Sequence, residues 1–110
     1  MEFDELNINI LTYVYISKEC TTSQITKNIL YSTDTNDFRK NDSIIRYRLK
    51  EMVKNGLMFK TKDNRAKYSL NTNFIVEGNV DNQEIKGILF LVNDKYPILI
   101  GFNKELIKSI

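Results

Sequence analysis

Ten basic side chains crowd the stretch between residues 39 and 67: Arg39, Lys40, Arg46, Arg48, Lys50, Lys54, Lys60, Lys62, Arg65 and Lys67. Against them stand Asp42, Glu51 and Asp63, so the stretch carries a local excess of seven positive charges on a chain whose net charge is +2. Segregation of this kind is the electrostatic footprint of a polyanion partner, because a merely solvated surface usually intersperses the two signs. The chemistry on offer is phosphate binding, and little else competes with it. The chain has no histidine, which removes imidazole acid–base catalysis, His-dependent triads and zinc sites that need imidazole. A single cysteine, Cys20, excludes multi-cysteine metal sites. Asp34, Asp37 and Asp42 lie close in sequence, but their spacing matches no ion-binding loop, and turn-forming or helix-capping roles account for them. With no glycine-rich phosphate loop either, the expectation is a non-catalytic protein with no metal, no cofactor and no evident small-molecule ligand.

Length and composition set the frame for these residues. At 110 residues the chain suits one domain with a second small lobe, and 42% apolar with 27% charged residues is the profile of an ordinary soluble protein. No apolar run approaches the roughly 20 residues needed to span a bilayer, and the longest, "GILFLV" at 87–92, suits a buried strand. The acidic start "MEFDELN" lacks the basic-then-apolar pattern of a signal peptide, and one unpaired cysteine fits a reducing compartment. A cytoplasmic protein that avoids membranes is expected.

The elements that must position the basic residues can be read from periodicity. "FDELNINILTYVYISKE" spaces Leu6, Ile10, Tyr13, Val14 and Ser17 by threes and fours, with Phe3 and Leu11 widening the stripe, which predicts a helix broken at the Cys20–Thr21 junction. "TTSQITKNIL" opens on Thr21-x-x-Gln24, a capping-box pattern, and predicts a short second helix burying Ile25 and Ile29. The polar stretch 31–41, "YSTDTNDFRKN", predicts a loop with at most one helical turn around Phe38. Asn41 or Asp42 then caps a third helix over 42–55. Its inward side is Ile45, Leu49, Met52 and Val53, and its stop is Lys54-Asn55-Gly56. Ser43, Ile44, Tyr47, Lys50 and Lys54 fall on the outward side, with Arg46 and Arg48 on the flanks. Residues 57–70 read as a hairpin turning at Lys62-Asp63-Asn64-Arg65. Ala66, Tyr68 and Leu70 alternate inward while Arg65, Lys67 and Ser69 project.

Helix, helix, basic helix ending in "NGL", then a basic hairpin: in this order the chain resembles the winged helix-turn-helix family of DNA-binding domains. "TTSQITKNI" resembles the family's second helix, "SIIRYRLKEMVKNGLMFK" its recognition helix, and "DNRAKYSL" the return strand of its wing. The resemblance covers about residues 5–71. Between Leu30 and Ser43 it departs from the family, which usually has a tight turn there. What it implies is an α+β fold, with three helices plus a β-hairpin wing over 1–71 and a small β-rich extension over 72–110. It also implies non-catalytic binding of double-stranded DNA. In that picture the outward residues of the 42–55 helix meet base edges in the major groove, making Ser43, Ile44, Arg46, Tyr47 and Lys50 the base-reading candidates. Arg39, Lys40, Arg48, Lys54, Lys60, Lys62, Arg65 and Lys67 become candidates for contacts to the phosphate backbone, the last four from the wing. Ile44 either touches a thymine methyl or packs against the 31–41 loop. Arg48 either meets phosphate or pairs with Glu51.

In 72–110, "NFIVEGNV", "EIKGILFLV" and "YPILIGF" predict three strands, with Gly87 and Gly101 marking bulges or close backbone approach and "NKELIKSI" a closing helix. This extension is expected to serve as a homodimer element, since many helix-turn-helix proteins bind paired half-sites. The expected role is transcriptional regulation. Two rivals remain open: a winged-helix module that docks an acidic protein, and an accessory factor in replication or maintenance of plasmid or viral DNA.

Overall fold

A computed structural model describes the backbone of residues 4–71, 75–80, 83–92 and 96–101, and the side chains of residues 4–71. The first helix, α1 (Glu5–Ser17), begins where the Asp4 carboxylate accepts the backbone N–H of Asn7 at 2.9 Å, satisfying one of the orphan donors of the first turn. Ile10, Leu11 and Val14 are buried, and Leu6 and Tyr13 pack at the margin. Phe3 lies outside the described residues. The helix stops at Ser17, earlier than the Cys20–Thr21 junction expected from sequence. Lys18 takes φ +67°, and the Glu19 N–H closes a tight γ-turn on the Ser17 carbonyl at 2.8 Å.

Strand β1 (Cys20–Thr21) follows, and Thr21 also caps α2 (Thr22–Ile29). The capping box is complete: Gln24 N–H donates to the Thr21 hydroxyl, and the Thr21 N–H donates to the Gln24 side-chain oxygen. Ile25 is fully buried, with Ile29 and Leu30 half-buried beside it.

The third helix corrects the sequence expectation. It runs as α3 (Thr35–Lys54), so most of the segment expected to be loop is two further helical turns. Asn41 and Asp42 cap nothing. The cap is Asp34, whose carboxylate accepts the Asp37 N–H at 2.8 Å, while the Asp37 carboxylate reaches back to the Thr33 N–H, also at 2.8 Å. The residues that looked turn-forming hydrogen-bond sideways instead. Asn41 Nδ2 donates to the Tyr31 carbonyl and the Ser32 hydroxyl, and the Asp42 carboxylate accepts from the Thr26 hydroxyl on α2. Each of these residues is a mediocre helix former, but a deficit of a few tenths of a kcal/mol apiece is offset by capping and by tertiary hydrogen bonds. The α2–α3 connection thereby shrinks to five residues, Leu30 to Asp34. At 1.5 Å per residue, α3 is about 30 Å long.

Its far end matches the expectation. Gly56 at φ +78° supplies the left-handed residue. The Leu57 N–H bonds back to the Met52 carbonyl (2.9 Å) and the Gly56 N–H to that of Val53 (3.0 Å), the double bond pattern that closes a helix at glycine. Leu57 and Met52 are both buried, so the stop is also an apolar contact point.

The hairpin comprises β2 (Met58–Lys60) and β3 (Lys67–Leu70), antiparallel with Met58 opposite Leu70. Strand β3 also pairs with β1, Cys20 opposite Tyr68, giving a three-stranded sheet of order β1-β3-β2. Tyr68 and Leu70 face inward, Ala66 is half-buried, and Arg65 and Lys67 project, as the alternation requires. The connection spans residues 61–66, wider than the four-residue turn expected. It is clasped by the Thr61 N–H on the Lys67 carbonyl and the Lys67 N–H on the Thr61 hydroxyl, both at 3.0 Å.

One core holds these elements: Ile10, Leu11, Val14, Cys20, Ile25, Ile45, Leu49, Met52, Leu57, Met58, Tyr68 and Leu70 are buried together. Helix α1 packs on α2 and β3, and α3 on α2 and β2. The class is α+β, three helices with a small antiparallel sheet. Burial pushes the Cys20 thiol up to about 12, which leaves it an inert apolar filler at neutral pH.

Strands β4 (Ile75–Val80), β5 (Gln83–Val92) and β6 (Tyr96–Gly101) form a second antiparallel sheet in that order. The register runs without a slip through Gly87 and Gly101, which stand opposite one another, so neither glycine marks a bulge. The expected closing helix falls outside the described residues. No helix among the described residues is long and apolar enough to cross a membrane.

Candidate nucleic-acid interface

The lengthened α3 organises the basic residues into a stripe. Ile45, Leu49 and Met52 point inward and are fully buried. On the opposite side Asn36, Lys40, Ser43, Tyr47, Lys50 and Lys54 recur at spacings of four and three, with Arg39 alongside, and all seven are exposed. The stripe thus extends a further turn and more beyond the Ser43 start expected from sequence. Asn36 was missed as a member. The signal that would have found it is the Asp34-x-x-Asp37 start, which sets the helix phase eight residues earlier.

The candidates divide by what holds them. Arg39, Lys40, Lys50, Lys54, Lys60, Lys62 and Arg65 have no ion-pair or hydrogen-bond partner among the described residues. Arg46 is held, its Nε donating to the Asp42 carboxylate at 2.8 Å across one helical turn. That pair is exposed on the arginine side, so it is weak and its guanidinium edge still faces solvent. Lys67 stands 3.5 Å from Glu19, both about half exposed, an even weaker tether.

Arg48 is different. Its Nη1 donates to the Asp4 carboxylate at 2.7 Å, joining the middle of α3 to the N-cap of α1, and its side chain is mostly covered. It pairs neither with Glu51 nor with solvent on the reading side. The N–H of Asn7, with the Arg48 guanidinium next to it, holds the Asp4 carboxyl below its usual range. A carboxylate whose folded-state value is depressed stabilises the fold above the unfolded carboxylate range, and that contribution is lost as the pH falls through it. Arg48 is a clasp between helices.

The base-reading candidates stand on the same face. The Ser43 hydroxyl donates to the Arg39 carbonyl at 3.0 Å, so its proton is engaged and it presents lone pairs outward. Tyr47 is 64% exposed and Ile44 37% exposed. Ile44 is not among the residues packed against the core, and the segment expected to be a loop beside it is helix from Thr35 onward. The carboxylates weighed for a metal site are spoken for: Asp34 caps α3, Asp37 closes on Thr33, and Asp42 holds Thr26 and Arg46.

Two further features had no counterpart in the sequence reading. Phe59 lies on the outer face of the small sheet, 58% exposed, opposite Ser69. An open groove of about 520 Å³ lies at the α2–α3 turn, between Lys27, Leu30, Tyr31 and Phe38. What the interface offers is a convex helix face with unpaired cations at both ends and hydroxyl and apolar groups between, flanked by a basic hairpin. Comparison with protein-family models, curated proteins and solved structures finds no match to the chain.

Proposed function

We propose that the chain is a winged helix-turn-helix protein that binds double-stranded DNA without catalysis, laying α3 in the major groove and the 57–70 hairpin along the backbone or minor groove. The observation that carries this reading is that, of the nine cations without a partner among the described residues, seven lie on α3 or the hairpin, Lys18 and Lys27 being the other two. A protein does not gain stability by crowding unpaired like charges, so their placement asks for a polyanion. Shape supports duplex over other polyanions, since a helix of this width fits the major groove of B-DNA. The element order and the β1-β3-β2 sheet support the wing. Within this reading the five-residue α2–α3 connection meets the family's tight turn, and the apparent insertion lengthens the reading helix.

The role proposed is transcriptional regulation by a homodimer. The second half of β5, Ile88 to Val92, is an unbroken apolar run, and that sequence suits an interface between two copies of the chain. An accessory role in DNA replication or maintenance uses the same chemistry. The protein-docking reading has one observation in its favour, the exposed Phe59.

Binding to random-sequence duplex DNA, titrated between 50 and 200 mM salt, tests the proposal. If four to seven of the cations meet phosphate, affinity falls with a log–log slope of roughly −4 to −6, or about 250- to 4,000-fold across that range. The absence of binding at the lower salt overturns the DNA reading and leaves the docking module. Light scattering on the same samples reads the stoichiometry, and a monomer bound to DNA removes the dimer from the proposal.

A further inference from the structure

Resting on the duplex-binding reading, we infer that α3 reads the C5-methyl group of thymine through Ile44, with the Tyr47 ring as the second wall of the contact. Ile44 adjoins the fully buried Ile45, yet its own side chain is exposed and belongs to no core cluster. Tyr47 lies one turn further on, so the two side chains are neighbours on the helix surface and make a small apolar patch. Cations bracket it: Arg39 and Lys40 precede it and Lys50 and Lys54 follow, all exposed and unpartnered. An occupant of matching chemistry is anionic at its edges and apolar at its centre.

The major groove meets that description, with phosphate rows on either side and the thymine methyl as the one apolar group on its floor. The polar readers on this face are partly committed. Arg46 Nε is held by Asp42, and the Ser43 hydroxyl has given its proton to the Arg39 carbonyl. Neither commitment touches Ile44. A methyl contact is the discrimination this patch is built to make, and it works by removing apolar surface from water, which no phosphate contact does.

The experiment uses the full chain and the tightest-binding short duplex recovered from a random pool, synthesised once with thymidine and once with deoxyuridine. Removing a contacted methyl is expected to weaken binding about fourfold per methyl, from the transfer free energy of one buried carbon. In Ile44→Ala the difference between the thymidine and deoxyuridine duplexes is expected to shrink, because only the Tyr47 ring is left against the methyl. Equal binding of the two duplexes by the unaltered protein overturns the inference while leaving duplex binding intact. A full difference persisting in Ile44→Ala also overturns it, since the methyl would then act through DNA shape. Failure to bind either duplex overturns the DNA reading itself, and this inference with it.

Discussion

Replacing Lys50 and Lys54 together with glutamate is expected to weaken duplex binding by on the order of 10²-fold at 0.1 M salt, because each cation withdrawn from between the phosphate rows, whether it meets a base edge as Lys50 or a phosphate as Lys54, forfeits about tenfold at that ionic strength through counterions no longer released. The salt slope should fall by about 1.8 at the same time. Both lysines are exposed on the outward stripe and have no partner to lose. Their helix propensities and that of glutamate are close, so the fold should survive. A glutamate at position 54 sits badly with the negative end of the α3 dipole, which costs about 0.3–1 kcal/mol and is visible as a slightly lower melting temperature. Circular dichroism on the double variant separates lost binding from lost fold. A folded double variant that binds as tightly as the parent removes α3 from the interface.

A second large effect is expected in the core. Leu49→Ala should destabilise the domain by about 2–5 kcal/mol, read as a shift in the urea midpoint at constant slope. Leu49 is fully buried, lies on the same helix face as Ile45 and Met52, and belongs to the cluster that joins α1, α2, α3 and the hairpin. Truncation leaves a cavity at the junction of every element that positions the basic stripe. Since small domains are stable by only about 5–15 kcal/mol, a loss of this size removes a large fraction of the total. Leu49→Met, which keeps the volume, should cost less than about 1.5 kcal/mol. A loss below 1 kcal/mol for Leu49→Ala would show that α3 is not anchored through this residue.

These substitutions fall within six consecutive positions of one helix and are expected to act on different properties. The separation follows from geometry. Residues 49 and 50 are consecutive but about 100° apart around the axis, so one enters the core and the other faces away from it. Arg48 shows the third outcome available to a charged residue on the same helix. Its clasp on Asp4 predicts that changes there reach binding through the tether that Arg48 makes between α3 and the start of α1.

Much of this arrangement was legible before any tertiary contact was known. The inward set Ile45, Leu49 and Met52, the alternation of Ala66, Tyr68 and Leu70, the Thr21–Gln24 box and the stop at Gly56 all follow from residues within a few positions of one another. Such features depend on local dihedral preferences and on periodicity, which a linear sequence records directly. The three C-terminal strands were legible for the same reason.

Other features needed partners that sequence proximity does not reveal. Residues 35–41 look like a loop because Thr, Asn and Asp favour local hydrogen bonds. They are helical because Asn41 finds Tyr31 and Ser32, and because Asp42 finds Thr26, 16 positions away. Arg48 looked like a phosphate contact, and its carboxylate lies 44 positions back. The sequence by itself determined which faces are apolar, where α3 stops and that the positive charge is concentrated in one stretch. Only the tertiary structure decided how long α3 is, which cations are free and whether Ile44 is covered, because each of those depends on what a distant segment brings within hydrogen-bonding or van der Waals reach.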